Sequence, residues 1–557
     1  MPERLNWSLL PTLLSICLIY SASAETALQA ARELNTRGSA PHHSSTRESS
    51  SSSVGYRNPI LFSDYSDPDV IRDGDHFYMV ASSFHFVPGI PILDSLDLVH
   101  WMILGHALPR LNIDPRYDLE GSNGYGMGVW APAIRKHNSL FYIYFPTPTE
   151  GIFVVTARTI SGPWSKPVAL IRQPGLEDPC PFWDDDGSAY LAHSRKGAGP
   201  LILHRMAADG MSVLDDGKEI VRDPEHLPTL EGPKVYKREG YYYIFAPFGG
   251  VEKGSQAVLR SKSIWGPYEY KTVLAQGSTK INGPHQGAYV ETSDGLGWFV
   301  HFQSRGAHGR IVHLEPLKWQ DGWPVIGEVP PGGSIGEPVA QYPELPVDAG
   351  AKAATMHPRT SDEFDSATLS PQWEWNHNPD DERWSLSQHR GFLRLVPGPA
   401  GDLLHARNTL TQQMQSESLE FTVRLDVSHM QNDVRAGIAM LQKSPNGLQV
   451  VQQGGKRKLQ FFAANEFTDG PELQANTVQL LVRVDGDRAL YSYSLDEGRS
   501  FHELGAQVPI TFSFWKGSRP AVFAFKATAA DKVSQTQPDS GHEGWIDFDW
   551  THCRPES

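Results

Sequence analysis

Cysteine is almost missing from this chain, with three in 557 residues. One of them, Cys17, stands in an N-terminal segment that reads as removable. Only Cys180 and Cys553 remain, which excludes a disulfide framework, and a bridge between these two would have to join separate domains. Packing must therefore hold the fold. Long apolar runs are missing as well: beyond the first residues nothing approaches the ~18 consecutive apolar residues of a membrane-spanning helix. A membrane partner is not expected. Positive charge is in deficit, 49 Lys and Arg against 64 Asp and Glu, for a formal net charge of -15. Phosphate backbones reward basic patches, so a nucleic-acid partner is not expected either, and neutral ligands fit better. The one N-x-[ST] sequon begins at Asn6, inside the removable segment. Sustained helical periodicity is the last absence, and it points to an all-β chain.

What is present begins with MPERLNWS, the apolar run LLPTLLSICLIY and Ala22-Ser23-Ala24. A polar start, a short apolar stretch and an A-x-A site read as a secretory signal over 1–24, which predicts a secreted, extracellular protein. Residues 25–55 include RGSAPHHSSTRESSSSSV, too poor in large apolar side chains to offset the entropy of ordering, and read as a disordered Ser-rich leader. From 56 to 346 short β-like runs alternate with Gly, Pro and Asp turns. YPELPVDAGAKAATMHP has linker character, placed at 347–361. Strands resume over 362–555 in LEFTVRLDV, AGIAMLQ, LQFFAA, TVQLLVRVD and AVFAFKA, the pattern of a β-sandwich.

Residues 56–346 hold an internal repeat. Five apolar strands carry paired aromatics: HFYMVASS at Tyr78, LFYIYFPT at Tyr142, SAYLAHS at Tyr190, YYYIFAPF at Tyr243 and GWFVHFQS at Phe299. Upstream of each, beside Pro or Gly, stand Asp67, Trp130, Asp178, Glu231 and His285. Successive strands recur every 48 to 64 residues, the period of propeller blades built from one small antiparallel sheet each. SLDLVHW, TISGPW and SIWGPY follow the central strands of three units and support the same division. The first strand of every propeller blade lines the central axis, so the five upstream residues should meet in one axial pocket.

Three carboxylates there suit glycoside hydrolysis, which needs a proton donor to the leaving oxygen and an opposing carboxylate that activates water or attacks directly. Glu231, longer than Asp and buried beside another acid, is the expected general acid. Asp67 is the expected general base, and Asp178 orients Glu231 and modulates its pKa. Asp-Pro and Glu-Gly-Pro taken singly are ordinary turn sequences; their recurrence at matched offsets is what carries the assignment. Trp130 and Phe84 are expected to stack on the apolar face of a sugar ring. His285 is expected to be either a water-mediated metal ligand or a structural plug. The run Asp184-Asp185-Asp186-Gly187 lacks the downstream Glu of an EF-hand loop and reads as a hairpin turn. The aromatic stretch WEWNHNPDDERWSL reads either as a plug in the sandwich or domain interface or as a segment reaching the ligand. It is the best candidate for a wall on an otherwise open axial pocket.

SDPDV, GVWAP, EDP and EGP at these intervals resemble glycoside hydrolase family 43, and DEFDSATLSPQWEWNHNPDDERWSL resembles the sandwich of its β-xylosidase-type members. The resemblance implies a five-bladed β-propeller followed by a concanavalin-like (jelly-roll) β-sandwich, acting with inversion on xylose- and arabinose-containing polysaccharides. It places the family's general base on Asp67, its pKa modulator on Asp178, its general acid on Glu231 and its pocket aromatics on Phe84 and Trp130. A substrate-gripping arginine falls on Arg310. The family's axial histidine, which contacts calcium through water in many members, falls on His285. PCPFW after the third-blade acid and the setting GPHQG depart from the family pattern. The expected protein is a secreted exo-acting glycosidase, β-xylosidase or α-L-arabinofuranosidase, acting on xylo- and arabino-oligosaccharides. No cofactor is required, and a structural Ca2+ is the one metal implied. The rivals are an arabinan-cleaving enzyme with an open groove, a catalytically silent sugar-binding propeller and a purely structural one.

Overall fold

A computed structural model describes residues 55–197, 199–528 and 544–555. The signal and the Ser-rich leader, residue 55 apart, lie outside the described residues. Five four-stranded antiparallel sheets follow one another along the chain. Blade 1 comprises Asp69–Asp73, His76–Val80, Gly89–Ser95 and Trp101–Leu108, and blade 2 Ala133–His137, Leu140–Thr147, Gly151–Ala157 and Val168–Ile171. Blade 3 comprises Leu176–Trp183, Ala189–Arg195, Leu201–Met206 and Lys218–Val221, and blade 4 Lys234–Arg238, Tyr241–Phe248, Ser255–Ser261 and Glu269–Leu274. Blade 5 is formed by His285–Glu291, Gly297–Ser304, Arg310–Gln320 and Trp323–Ile326.

The repeated aromatic strands are the second strand of each blade. Both faces of a blade are covered by neighbours, so these strands read as nearly continuous apolar text, as in Leu140–Thr147. Separate apolar clusters glue blades 5 and 1, 2 and 3, 3 and 4, and 4 and 5. The ring is closed by the N-terminal segment. Tyr56 pairs with Tyr342, Leu61 bridges Val312, and Asn58 Nδ2 donates to the carbonyls of Leu314 and Val339, each at 2.8 Å.

Cys180 and Cys553 are both buried free thiols. Asp184–Gly187 forms the hairpin turn between the first two strands of blade 3, with Asp184 N–H donating to Ser188 O. The segment read as a linker contains a one-turn helix, Gly350–Ala354.

Among the described residues the C-terminal part is a sandwich of a nine-stranded and an eight-stranded sheet. Its strand Ser418–Asp426 alternates buried and half-buried side chains without a break, because one face meets the core and the other water. The nine-stranded sheet takes its edge from the propeller: Phe86–Val87 of blade 1 pairs with Trp375 and Asn376. The apolar cluster between blades 1 and 2 runs without interruption into the sandwich core.

WEWNHNPDDERWSL occupies that junction, and its tryptophans do not line the axial pocket. Trp373 is buried, with Nε1 donating to Asp362 Oδ2 at 2.8 Å, and Trp375 packs in the shared core. A different sandwich segment reaches the pocket. Ser513 and Lys516 exchange backbone hydrogen bonds around Phe514 and Trp515, at φ 56° and 65°. Positive φ at both central residues makes a type I′ hairpin turn.

Candidate active site

All five upstream residues converge. Asp67, Trp130, Asp178, Glu231 and His285 line one cavity of about 640 Å³ on the propeller axis, together with Phe84, Arg310, Glu177, Gln286 and Trp515. Six of its lining residues are non-glycine residues in the left-handed region: Asp67 (φ 57°), Phe84 (52°), Asp178 (57°), Thr229 (50°), Gln286 (34°) and Trp515 (65°). Each such conformation costs on the order of 1 kcal/mol or more and persists only where the surroundings impose it. Here it redirects side chains from the mouths of the inner strands into the axis.

Asp67 is held on two sides. Ser82 Oγ donates to Oδ2 at 2.5 Å, and Arg310 Nη1 straddles Oδ1 and Oδ2 at 3.2 and 3.4 Å. Arg310 in turn lies over the Phe302 ring, 4.9 Å from its centroid, and its backbone N–H donates to Asp64. The carboxylate keeps acceptor capacity for a further donor, since its two oxygens offer about four lone-pair sites.

Asp178 receives Ser194 Oγ at 2.8 Å, Gly232 N–H at 2.9 Å and Gln286 Nε2 at 3.1 Å. Burial first, and the charge of Glu231 second, push its carboxyl up to about 6, against the pull of the Gly232 and Ser194 donors. Glu231 is the more open acid, and its Oε1 lies 2.9 Å from His285 Nε2.

His285 is fully buried and its Nδ1 has no partner. With Nε2 on Glu231, the partnerless Nδ1 is the ring atom that a water held by a calcium ion would meet. Glu177, Asp178 and Glu231 do bring carboxylate oxygens within 4.8 Å of one another. Asp178 there already accepts three hydrogen bonds, and no chemical step is routed through a metal.

The aromatic walls come from three places. Phe84 and Val129 exchange backbone hydrogen bonds at 2.8 and 3.0 Å, setting Phe84 edge-on to Trp130 with centroids 6.1 Å apart. Gly128 makes that approach possible, because at φ 84° an added Cβ would lie 2.1 Å from Phe84 O. Trp130 Nε1 donates to Gly126 O, leaving the indole face to the cavity. Trp515 packs edge-to-face against it, centroids 5.9 Å apart, and is 46 % exposed.

Trp515 was not marked by the repeat, because it belongs to the sandwich. Its legible signal was local, an adjacent aromatic pair followed by Lys-Gly in FWKGSRP. The hairpin that carries it is bolted to the propeller. Lys516 Nζ donates to Asp64 O at 2.7 Å, Gly517 N–H to Asp64 Oδ2 at 2.9 Å and Ser518 N–H to Ala307 O at 2.8 Å. Gly517 is needed there, since a Cβ would meet the Gly309 nitrogen at 2.6 Å. Behind it, buried Arg519 donates to Glu374 at 2.5 Å and covers Phe86 at 3.7 Å.

An axial pocket of clustered carboxylates and aromatic walls on a five-bladed propeller defines a carbohydrate-hydrolysing enzyme. Residues 56–324 match glycosyl hydrolases family 43, and residues 361–554 match the beta xylosidase C-terminal concanavalin A-like domain. A beta-xylosidase of Formosa agariphila is 35% identical over 550 residues, covering 89% of each chain. A Xylanibacter ruminicola protein provisionally named a beta-xylosidase is 41% identical over 465 residues, 83% of this chain and 85% of its own. A non-reducing end alpha-L-arabinofuranosidase of Bacteroides ovatus is 33% identical over 358 residues, 61% of this chain and 64% of that one. Among solved structures, an engineered family 43 enzyme displaying both endo-xylanase and exo-arabinofuranosidase activity superposes with a TM-score of 0.79 at 28% identity, covering 90% of this chain and all of that one. The chain belongs to glycoside hydrolase family 43.

Proposed function

We propose that the protein is a secreted, exo-acting, inverting glycosidase that releases a terminal pentose from xylose- and arabinose-containing oligosaccharides. Xylosides are the first substrate class. Two relatives that match more than 80% of both chains are named beta-xylosidases, one of them provisionally, whereas the arabinofuranosidase match covers 61% of this chain. The observation that carries the reading is the convergence of Asp67, Asp178 and Glu231 on one axial cavity.

In this reading Asp67 is the general base. Ser82 and Arg310 fix its orientation, and its remaining lone pairs take a proton from the water that attacks the anomeric carbon. Glu231 gives its proton to the leaving glycosidic oxygen, the oxygen departs as the alcohol of the next sugar, and water oxygen ends on the opposite face of the ring. Asp178, anchored by three donors, orients Glu231 in the pocket. No cofactor enters these steps. Trp515 and Trp130, edge-to-face with each other, form one continuous aromatic wall beside the sugar, and the Trp515 hairpin supplies the wall that favours a chain end over a passing polymer. That wall weighs against an open arabinan groove.

Side-by-side hydrolysis of aryl β-xyloside and aryl α-arabinofuranoside tests the substrate class, and NMR of the first-formed sugar should show inverted configuration. Glu231→Ala should slow substrates with poor leaving groups far more than activated aryl glycosides, while Asp67→Ala slows both. Retention of configuration, or equal slowing of both substrate types by Glu231→Ala, would remove the assigned roles.

A further inference from the structure

Asn376, His377 and Asn378, at the centre of the aromatic stretch WEWNHNPDDERWSL, are all fully buried. Consecutive polar side chains are buried only where each finds partners. Theirs lie on the propeller, in the connection from blade 1 to blade 2. Asn378 Oδ1 accepts from Leu111 N–H at 2.9 Å, and its own N–H donates to Tyr117 O at 2.8 Å. Further along the same connection, Asn376 and His377 grip Gly124 and Tyr125.

That grip is a directional circuit. A backbone N–H can only donate, so Gly124 N–H, 3.0 Å from His377 Nε2, makes this nitrogen an acceptor and leaves the ring proton on Nδ1. Nδ1 faces Asn376 Oδ1 at 3.2 Å, Asn376 Nδ2 donates to the Tyr125 hydroxyl at 2.7 Å, and that hydroxyl donates to Leu404 O at 2.7 Å. Burial first, then the charges of His405 and Arg407, hold the imidazole down to about 3, so Nε2 stays an acceptor at neutral pH. Gly124 allows the approach, since an added Cβ would lie 2.7 Å from the Tyr117 ring. His377 itself stands at φ 69°, a left-handed conformation that persists only where the surroundings impose it.

What the circuit holds is the base of the aromatic wall. Tyr125 stacks on Phe514, centroids 4.3 Å apart, and Phe514 precedes Trp515 in its hairpin. Gly126 O accepts the Trp130 indole N–H at 3.0 Å, and a Cβ on Gly126 would lie 3.4 Å from Trp515 Cδ1. The backbone from Gly124 to Gly126 therefore sets both indoles, and His377, which does not line the cavity, sets that backbone.

We propose that His377 is a positioning residue: as the acceptor for Gly124 N–H it fixes the wall formed by Trp130 and Trp515, and so sets the affinity for the sugar without touching it. This rests on those two indoles being sugar contacts.

The test is steady-state kinetics of the full chain carrying His377→Leu, which removes the acceptor, or His377→Gln, whose amide oxygen can replace it. Leu leaves a buried N–H without a partner, so KM for xylo-oligosaccharides should rise about ten-fold while kcat on an activated aryl xyloside stays within about two-fold. Gln should keep KM within about three-fold of wild type. Because both residues act through one wall, His377→Leu added to Trp515→Ala should raise KM by no more than about three-fold beyond Trp515→Ala alone. A merely structural role would lower kcat through loss of folded enzyme at an unchanged KM, and that result overturns the proposal. So would a KM as poor with Gln as with Leu, or an effect of about ten-fold in both backgrounds. Should His377→Leu fail to fold, Tyr125→Phe breaks the same circuit at the hydroxyl and should raise KM about three-fold; an unmoved KM would overturn the proposal. The underlying reading fails separately: Trp130→Ala and Trp515→Ala would then both keep the wild-type KM, and the proposal would fall with it whatever His377 does.

Discussion

Replacing Arg519 by Met tests how the sandwich serves the pocket. Glu374 is buried at the domain junction with Arg519 Nη1 at 2.5 Å and His106 Nε2 at 3.3 Å. Burial alone would raise its carboxyl, but Arg519, helped by His106 and Lys516, outweighs it and holds the group at about 2. Against the ordinary glutamate value of 4.5, that shift corresponds to about 3 kcal/mol of stability at neutral pH. The figure agrees with the ~3–5 kcal/mol typical of leaving a buried charge without its partner. Because the folded-state value is depressed, the contribution is present above pH 4.5 and lost as pH falls towards 2. Denaturant unfolding should therefore find Arg519→Met destabilised by about 3 kcal/mol or more at pH 7 and by roughly half that or less at pH 3, where Glu374 of the variant is neutral. Adding Glu374→Leu should recover most of the loss, since an apolar pair needs no counter-charge. Arg519 lies four residues beyond Trp515, so the single variant should also raise KM for oligosaccharides. A loss below about 1 kcal/mol at pH 7, or the same loss at both pH values, would refute the reasoning.

Trp515→Ala should raise KM about ten-fold, by removing ~1–2 kcal/mol of aromatic contact, while leaving kcat on aryl substrates nearly intact. Unfolding should hardly change, because the indole is half exposed, and an unaltered KM would remove it from the sugar site. Asp178, raised to about 6 by burial and by Glu231, gives the opposite pH sign to Glu374. Its contribution to stability is present below the unfolded value near 4 and is lost as pH rises through 6. The stability of wild type relative to Asp178→Asn should therefore fall by about 2 kcal/mol between pH 4 and pH 7. A difference that stays flat would show that Asp178 is not a strained carboxyl.

The sequence alone determined the blade count, because every blade must bury both faces against neighbours and so repeats the same apolar strand at a near-constant interval. It also determined the principal acids. Asp67, Asp178 and Glu231 recur at matched offsets from those strands, and the axis of a propeller is where such offsets meet. Phe84, and Arg310, which was named through the family resemblance, lie in the same cavity. What the sequence left open depended on contacts between distant segments. WEWNHNPDDERWSL and FWKGSRP are both aromatic-rich, and nothing local says that the first packs against Phe86–Val87 while the second enters the pocket. That choice rests on Asp64, Ala307 and Glu374 meeting residues 516–519, contacts separated by more than a hundred residues of chain. Glu177 was hidden for a related reason. Strand alternation assigns it to the face opposite Asp178, and only the slipped pairing with Ala189–Arg195 brings both to one side. Periodicity records which residues share a face when backbone geometry is regular. At the mouth of the axis the backbone is bent into left-handed conformations by its tertiary surroundings, and there only the folded structure decides where a side chain points.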